Sequence, residues 1–364
     1  MQTNSDKEFG AFITRLIQKE DLTRQESKEA FQTILRDQTT ELQQGAFLAA
    51  LTAKGETAEE VAGSWEAIYE LDTVKVDHPG PVVENSGTGM DSFKTFNIST
   101  AASIVAASGG VPMARHGARS ITSMCGTVDM AEMLGVDVEC QAELVADSVK
   151  KAGIGLFNGM SPQSHPKALG RILSKIHFGS TLNIAASLAN PVMPKIGVRG
   201  VYSKEMVLPV IKVMKAIGYK RALVCHGGID DSRKGMDEAS VCGPTFCAEL
   251  KENQKITEFS FLPEEFGLNR EKPELLAPSQ DLEREARDFV ALFRKTKNRA
   301  RAKAVALNAG LIFYVADDRS IADGVRKAEA ILKKGSGFET MERWVQIQNR
   351  DPQKGIKRLH ALCN

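Results

Sequence analysis

The chain has no long apolar run, almost no net charge and no cysteine framework, and each absence removes a class of protein. No stretch approaches the roughly 20 apolar residues of a membrane-spanning helix, so no membrane segment is expected. The opening MQTNSDKEFG lacks the basic and apolar regions of a secretory signal, and a cytoplasmic setting is expected. The net charge of +1 over 364 residues gives no global electrostatic case for nucleic acid or a membrane surface. The six cysteines, Cys125, Cys140, Cys225, Cys242, Cys247 and Cys363, are scattered, which fits reduced thiols. Cys242 and Cys247 have no second Cys or His pair to complete a tetrahedral set, so no zinc site is expected. Gly-x-Ser-x-Gly, Walker A and GxGxxG fingerprints are also missing, since Gly87-Thr-Gly89 lacks its third glycine.

What is present is an alternation of helices and strands. Phe9, Phe12, Ile13, Leu16 and Ile17 share one helical face. Thr23–Glu26, Thr40–Gln43 and Thr57–Glu60 have the spacing of N-caps opening three further helices. The stiff stretch Asp77-His-Pro-Gly-Pro81 marks a boundary between a helical domain over 1–78 and an α/β domain over 79–364. Part of 165–190 is a candidate to pack onto the helical domain. Beyond the boundary, strands are expected at 111–114, 153–157, 198–202 and 221–225, separated by helical stretches, which implies βαβ units and a mostly parallel sheet. CAELKE and KITEFSFL read as an antiparallel excursion, and helices return at 281–294, 300–314, 321–334 and 340–348.

Three stretches carry chemistry. GTGMDSFKTFNIST, residues 87–100, follows an extended run and precedes the apolar stretch Ala101–Ala107. Gly87 and Gly89 allow close backbone approach, Asp91 can bond ribose hydroxyls or a cation, and Asn97, Ser99 and Thr100 sit at a helix start suited to phosphate. The same pattern also serves an ordinary strand–turn–helix joint. The second stretch, Ala114–Thr127, gathers Arg115, His116 and Arg119 with Ser120, Thr122, Ser123 and Thr127 on what reads as a glycine loop, which suits a polyphosphate. In the third, GMDEASVCGPT, Asp237 and Glu238 offer hard oxygen ligands for Mg²⁺. His165 and His226 are candidate bases or structural hydrogen-bonding residues. The basic run at 294–303 reads as a solvated helix junction more readily than as a nucleic-acid contact.

Together these stretches resemble the anthranilate phosphoribosyltransferase family, whose fold class is shared with pyrimidine nucleoside phosphorylases. The resemblance runs over GTGMDSFKTFNIST, RHGARSITSMCGTVD, GMDEASVCGPT, AFLAALTAKGETAEEVAG and LNAGLIFYVAD, roughly residues 8 to 345. It implies a small helical domain joined to a larger α/β domain, a cleft between them and a homodimer. It implies Mg²⁺-dependent transfer of the phosphoribosyl group of 5-phosphoribosyl-1-pyrophosphate (PRPP) to anthranilate in tryptophan biosynthesis. Carried over, Gly87, Gly89, Asp91, Thr95, Asn97, Ser99, Thr100, Arg115, Arg119, Ser123 and Thr127 face PRPP. Ser99, Asp237 and Glu238 hold Mg²⁺, and Gly87, His116, Ala118 and Arg171 lie on the acceptor side.

The chain departs from the family pattern at several points. Met90 and Ser92 replace glycines, Arg115 replaces a lysine, and Ala118 stands where the family has an acceptor-bonding asparagine. Arg171 is the only arginine between His165 and Asn183, the stretch that carries the family's acceptor-gripping arginine. The other expectations are therefore a paralogue with a different aromatic acceptor, a non-catalytic homologue binding nucleic acid or a partner, and nucleoside phosphorolysis. The intact Asp237-Glu238 pair argues against phosphorolysis.

Overall fold

The computed structural model describes residues 4–78, 80–119, 125–294, 298–317 and 319–363. Helices α1 (Asn4–Ile17), α2 (Arg24–Leu35), α3 (Glu41–Lys54) and α4 (Ala58–Leu71) form the helical unit. The expected caps are in place. The Thr23 hydroxyl accepts from the Glu26 N–H while Glu26 accepts from the Thr23 N–H, and Thr57 and Glu60 repeat the arrangement. Phe9, Phe31 and Phe47 close the core, with the Phe31 and Phe47 rings edge to face at 5.6 Å. Gly63 lets α4 cross α2, because a Cβ there would stand 2.2 Å from the Arg24 carbonyl oxygen.

The larger unit runs β1 (Val83–Gly87), α5 (Ile98–Ser108), β2 (Met113–Gly117), α6 (Thr127–Met133), α7 (Ala142–Ala152), β3 (Ile154–Asn158), α8 (Leu169–Ile176), α9 (Leu182–Ala185), β4 (Ile196–Gly200), α10 (Val207–Ala216) and β5 (Arg221–Gly228). It continues through β6 (Gly235–Met236), β7 (Thr245–Leu250), β8 (Ile256–Phe261), α11 (Leu282–Arg294), α12 (Arg299–Asp317), α13 (Ile321–Lys334), α14 (Ser336–Ile347) and α15 (Pro352–Ala361). The sheet order is β3-β2-β1-β4-β5-β7-β8, with β6 beside β5. β1 to β5 are parallel and β6 to β8 antiparallel, so the expected mostly parallel sheet with an antiparallel excursion is what forms.

Strand β2 begins later than the sequence suggests and reaches Gly117. Pro112 cannot donate to the ladder, so pairing starts at Met113. Arg115 and His116 are therefore buried strand residues rather than members of an exposed loop. β4 begins two residues earlier than expected and carries Arg199 inside the sheet. Helix α15 was not expected at all. Its sequence is mostly polar, and it is opened by Asp351, whose carboxylate accepts from the Lys354 N–H, with Pro352 in the first turn.

One face of the sheet packs on α5, α6 and α11 to α15, burying Val83, Met113, Val198, Leu223 and Trp344 in one core. The other face contributes Ala222, Val224, Ala248 and Leu250 to a core shared with the helical unit and α8 to α10. Ala168, Leu169, Ile172, Leu182, Leu188 and Ala189 belong to this shared core, and the stretch that carries them ties the two units together. The Trp65 indole donates to the Leu188 carbonyl at 2.9 Å, and the Asp72 carboxylate accepts from the N–H groups of Ala168 and Leu169 at 2.9 and 2.7 Å. The basic run is largely occupied: Arg301 is buried on Glu285, Lys303 is bonded to Glu271, and Arg294 donates to the Cys363 carbonyl. Lys295 and Lys297 of that run lie outside the described residues.

Candidate active site

The C-terminal ends of β1, β4 and β5 meet in register, with Gly87 opposite Gly200 and Gly200 opposite Cys225. Loops from parallel strand ends converge there, the position where open α/β sheets bind ligands. The 87–100 loop folds back onto the loop after β6. The Gly89 N–H donates to Asp237 Oδ2 at 2.8 Å, the Thr88 N–H to the Gly200 carbonyl at 3.0 Å, and the Phe93 N–H to the Gly235 carbonyl at 3.0 Å. Gly87 has no room for a side chain, since a Cβ would lie 2.0 Å from Asp237 Oδ2, and one on Gly200 would lie 1.4 Å from the Asp237 carbonyl oxygen. Gly89 and Met90 both have φ of 66°, a conformation that glycine adopts freely and methionine does not. The Met90 side chain swings outward, over Gly179, and is 44% exposed.

This folding-back concentrates negative charge. Asp91, Asp237 and Glu238 act on one another, and Asp91 is paired with Lys94 at 2.7 Å. Burial and the Asp237 charge push the Asp91 carboxyl up to about 6. Burial, then Asp237 and Asp91, hold the Glu238 carboxyl well above the usual carboxylate range. Glu238 Oε2 is buried with no hydrogen-bond partner. A buried, unpartnered carboxylate oxygen beside two more carboxylates is a costly arrangement that a hard divalent cation relieves. Among the described residues no three acidic, His or Cys side chains close on one cation position. Ligand oxygens or water must then complete the coordination, as Mg²⁺ prefers.

Arg115 lies under the cradle rather than in it. It is 1% exposed and donates to the Asn85 carbonyl, Thr100 Oγ1 and Ser99 Oγ at 3.2, 2.7 and 3.1 Å. It therefore positions the two hydroxyls at the start of α5, which corrects the expectation of direct ligand contact. Burial pulls its guanidinium down to about 10, opposed by Glu84 and Glu238. Asn97 precedes α5 and donates to the Cys125 carbonyl, while Thr95 is half-buried in the same loop. Arg119 is occupied by Asp129 and Glu132 at the surface, and Thr127 opens α6 with its methyl close beside Gly117. Ser123, with Ser120 and Thr122, lies outside the described residues.

On the other side of β1, His116 and His165 face each other, Nε2 to Nε2, at 3.1 Å. His116 Nδ1 bonds the Ser187 carbonyl and His165 Nδ1 the Asp72 carbonyl. Burial, then the neighbouring His165, lowers His116 to about 3, so it stays neutral. Ala118 is exposed at the mouth. Arg171 points elsewhere, bonded to Asp37, Gln44 and the Ile34 carbonyl of the helical unit. The structure thus places its guanidinium on α2 and α3 rather than in the cleft. His226 Nδ1 donates to the Val201 carbonyl at 2.8 Å, and the ring lines a cavity of about 430 Å³ with Met90, Ser92, Lys204 and Arg233.

Sequence reasoning passed over Arg199. Its side chain is 1% exposed and bonds Ser86 and Ser187. The available signal was one charged residue inside the otherwise small and apolar strand Ile-Gly-Val-Arg-Gly.

Comparison with known proteins is consistent along the chain. Residues 79–338 match the family model for the glycosyl transferase family, a/b domain, and residues 11–71 the model for its helical bundle domain. The anthranilate phosphoribosyltransferase of Methanosarcina acetivorans is 37% identical over 95% of this chain and 90% of its own. That of Rubrobacter xylanophilus is 34% identical over 92% of this chain and 96% of its own. Among solved structures, the Thermus thermophilus enzyme superposes with a TM-score of 0.83 at 30% identity, over 93% of this chain and 99% of that one. The Saccharomyces cerevisiae enzyme in complex with PRPP and Mg shares the fold, with a TM-score of 0.81 at 21% identity over 94% of this chain and 98% of that one. With both domain models matched in order and relatives above 30% identity along nearly its whole length, this chain belongs to the anthranilate phosphoribosyltransferase family.

Proposed function

We propose that this chain is a glycosyltransferase that transfers the phosphoribosyl group of PRPP to anthranilate and releases pyrophosphate, a step of tryptophan biosynthesis. The observation that carries the reading is the partnerless, buried Glu238 oxygen beside Asp237, which is itself locked beneath Gly87 and Gly89. The reaction forms a bond from the anthranilate nitrogen to C1 of the ribose and breaks the bond from C1 to the pyrophosphate oxygen, and the amine gives up one proton. Mg²⁺, when bound, neutralises charge on the departing pyrophosphate.

The protein's own part is positional and electrostatic. Asp237 and Glu238 supply carboxylate oxygens to the cation, and Ser99 a hydroxyl oxygen. Asp91 bonds the ribose hydroxyls. Thr95, Asn97 and Thr100 and the first turn of α5 face phosphate. Gly87 and Gly89 bring backbone within reach, and Arg115 fixes Ser99 and Thr100. Arg119, just beyond β2, reaches PRPP by leaving its surface carboxylates, and the family resemblance gives Ser123 a part in holding PRPP. The acceptor lies between Gly87 and His116. The protein acts as a homodimer in the cytoplasm; its six free cysteines fit a reducing compartment.

A second reading, transfer to a different aromatic acceptor, is favoured by one pair of observations: Ala118 offers no side-chain hydrogen bond, and Arg171 is held by Asp37. Calorimetric titration of PRPP with Mg²⁺ tests the shared part of both readings. Binding by the wild type and its loss in Asp237→Asn/Glu238→Gln is expected. Equal binding by the double variant would remove the metal role.

A further inference from the structure

The acceptor side holds a buried cation that the phosphoribosyl site does not use. Arg199 sits on β4 directly opposite Ser86 of β1, one residue before the Gly87–Gly200 pair. Three residues on from the Val83–Met113 pairing, His116 of β2 joins the same transverse row. His116, Ser86 and Arg199 therefore project from three adjacent strands to one face of the sheet, toward Ser187. Arg199 Nη1 donates to Ser86 Oγ at 2.7 Å and to the Ser187 carbonyl at 3.4 Å, and Nη2 donates to Ser187 Oγ. Its Nε–H has no partner.

The guanidinium has no counter-ion in contact. Among the described residues no carboxylate lies within the 4.0 Å of an ion pair. Glu84, the nearest in charge, is engaged by the Tyr219 hydroxyl at 2.6 Å and by Asn190. A buried cation with only hydroxyl and carbonyl partners and one orphaned donor is unfavourable unless an anion completes it. The two positions that the family resemblance sets toward the acceptor are unsuited to an acid group. Ala118 has no polar side chain, and Arg171 is bonded to Asp37, Gln44 and the Ile34 carbonyl.

We infer that Arg199 is the residue that reads the carboxylate of the acceptor, in the row formed with Ser86 and His116. The inference rests on the phosphoribosyl-transfer reading and names its acceptor class: an aromatic amine that carries a carboxylate. The acid group takes the free Nε–H and the Nη2–H now on Ser187. Ser187 loses little, because its hydroxyl proton already goes to the carbonyls of Asn183 and Ile184 at 2.6 and 2.9 Å. The fork geometry of the guanidinium matches a carboxylate, which a hydroxyl partner leaves half used. The specificity contact is thereby moved from a helix to the sheet.

Steady-state transfer from PRPP to anthranilate, compared with aniline, tests this in the wild type, Arg199→Met and Arg199→Lys. A charge-assisted pair sets the scale: Arg199→Met is expected to raise KM for anthranilate about 10- to 100-fold and leave KM for aniline unchanged. The kcat for anthranilate and the calorimetric affinity for Mg²⁺ with PRPP stay near wild type, and Arg199→Lys falls between. Equal use of anthranilate and aniline by the wild type overturns the inference. So does a fall in kcat and PRPP affinity with the anthranilate-to-aniline ratio intact, which is what a purely structural arginine gives. If Arg199→Met does not fold, the same ratio is read on Arg199→Lys. If the wild type shows no transfer, the phosphoribosyl reading fails separately, and calorimetric titration of anthranilate decides the contact. Binding lost in the variants supports it, and no binding by the wild type overturns it.

Discussion

Gly87 and Asp237 interlock: a Cβ on Gly87 would stand 2.0 Å from Asp237 Oδ2, while the next glycine, Gly89, donates its N–H to that same oxygen at 2.8 Å. Two segments 150 residues apart in the chain thus form one object, and the first glycine exists to admit the carboxylate of the second. Gly87→Ala must push Asp237 aside by more than an ångström. Transfer activity is expected to fall at least about 100-fold, the scale of a small misplacement in a site that works by positioning. Thermal melting alongside the rate measurement separates this from unfolding, and a variant with wild-type rates would contradict it.

The acidic cluster makes the protein's stability depend on divalent cation and pH. Asp91 titrates near 6 in the folded chain instead of 3.8, so between those values the native state holds a proton that the unfolded chain has lost. Stability attributable to Asp91 therefore falls as pH rises from about 4 to about 6, by about 3 kcal/mol in total. Mg²⁺ favours the ionised carboxylates and reverses this. Scanning calorimetry is expected to show Mg²⁺ raising the melting temperature by a few degrees at pH 7.5 and by less at pH 5. In the absence of metal, Glu238→Gln is expected to melt above wild type at pH 7.5, because it removes a buried acid whose ionisation is opposed by burial, Asp237 and Asp91 and whose proton the unfolded chain has already lost. Wild-type melting in that variant would show that Glu238 is not held under electrostatic strain.

Arg115 links β2 to the first turn of α5 through Ser99, Thr100 and the Asn85 carbonyl. Arg115→Met leaves those acceptors in a buried pocket without a donor. A loss of about 2–4 kcal/mol in urea unfolding is expected, at the scale of several unmade hydrogen bonds to a charged group. PRPP affinity falls with it, since Ser99 and Thr100 lose their anchor.

Asp72 ends the helical unit and caps α8 from outside, accepting from the N–H groups of Lys167, Ala168 and Leu169. Asp72→Ala removes a charged cap at a helix N-terminus, expected to cost about 1–2 kcal/mol. The same change frees the segment that carries His165, so KM for the acceptor is expected to rise more than KM for PRPP in steady-state assays.

Much of this architecture is legible in the residues. The capping pairs Thr23–Glu26 and Thr57–Glu60 have a local physical signature and form as it implies, and the glycine turn at 87–89 and the Asp237-Glu238 pair, both singled out in the sequence, come together in the fold. What is not legible depends on contacts distant in sequence. Arg115 and His116 look like loop polarity until the β2 register buries them. Arg171 looks like a cleft residue until α8 is packed against α2 and α3, where Asp37 claims it. Arg199 gains meaning only when β4 pairs with β1 and sets it beside Ser86. Helix α15 escapes notice because Ile356 and Leu359 are its few apolar anchors between charged residues.

The most direct test of the whole account is to incubate the wild-type protein with PRPP, Mg²⁺ and anthranilate and to follow anthranilate fluorescence, with the product identified by mass. N-phosphoribosylanthranilate and pyrophosphate are expected in equal amounts, with formation that stops when Mg²⁺ is chelated and none from Asp237→Asn/Glu238→Gln. No product from the wild type, despite intact folding and saturating PRPP, would contradict transfer to anthranilate.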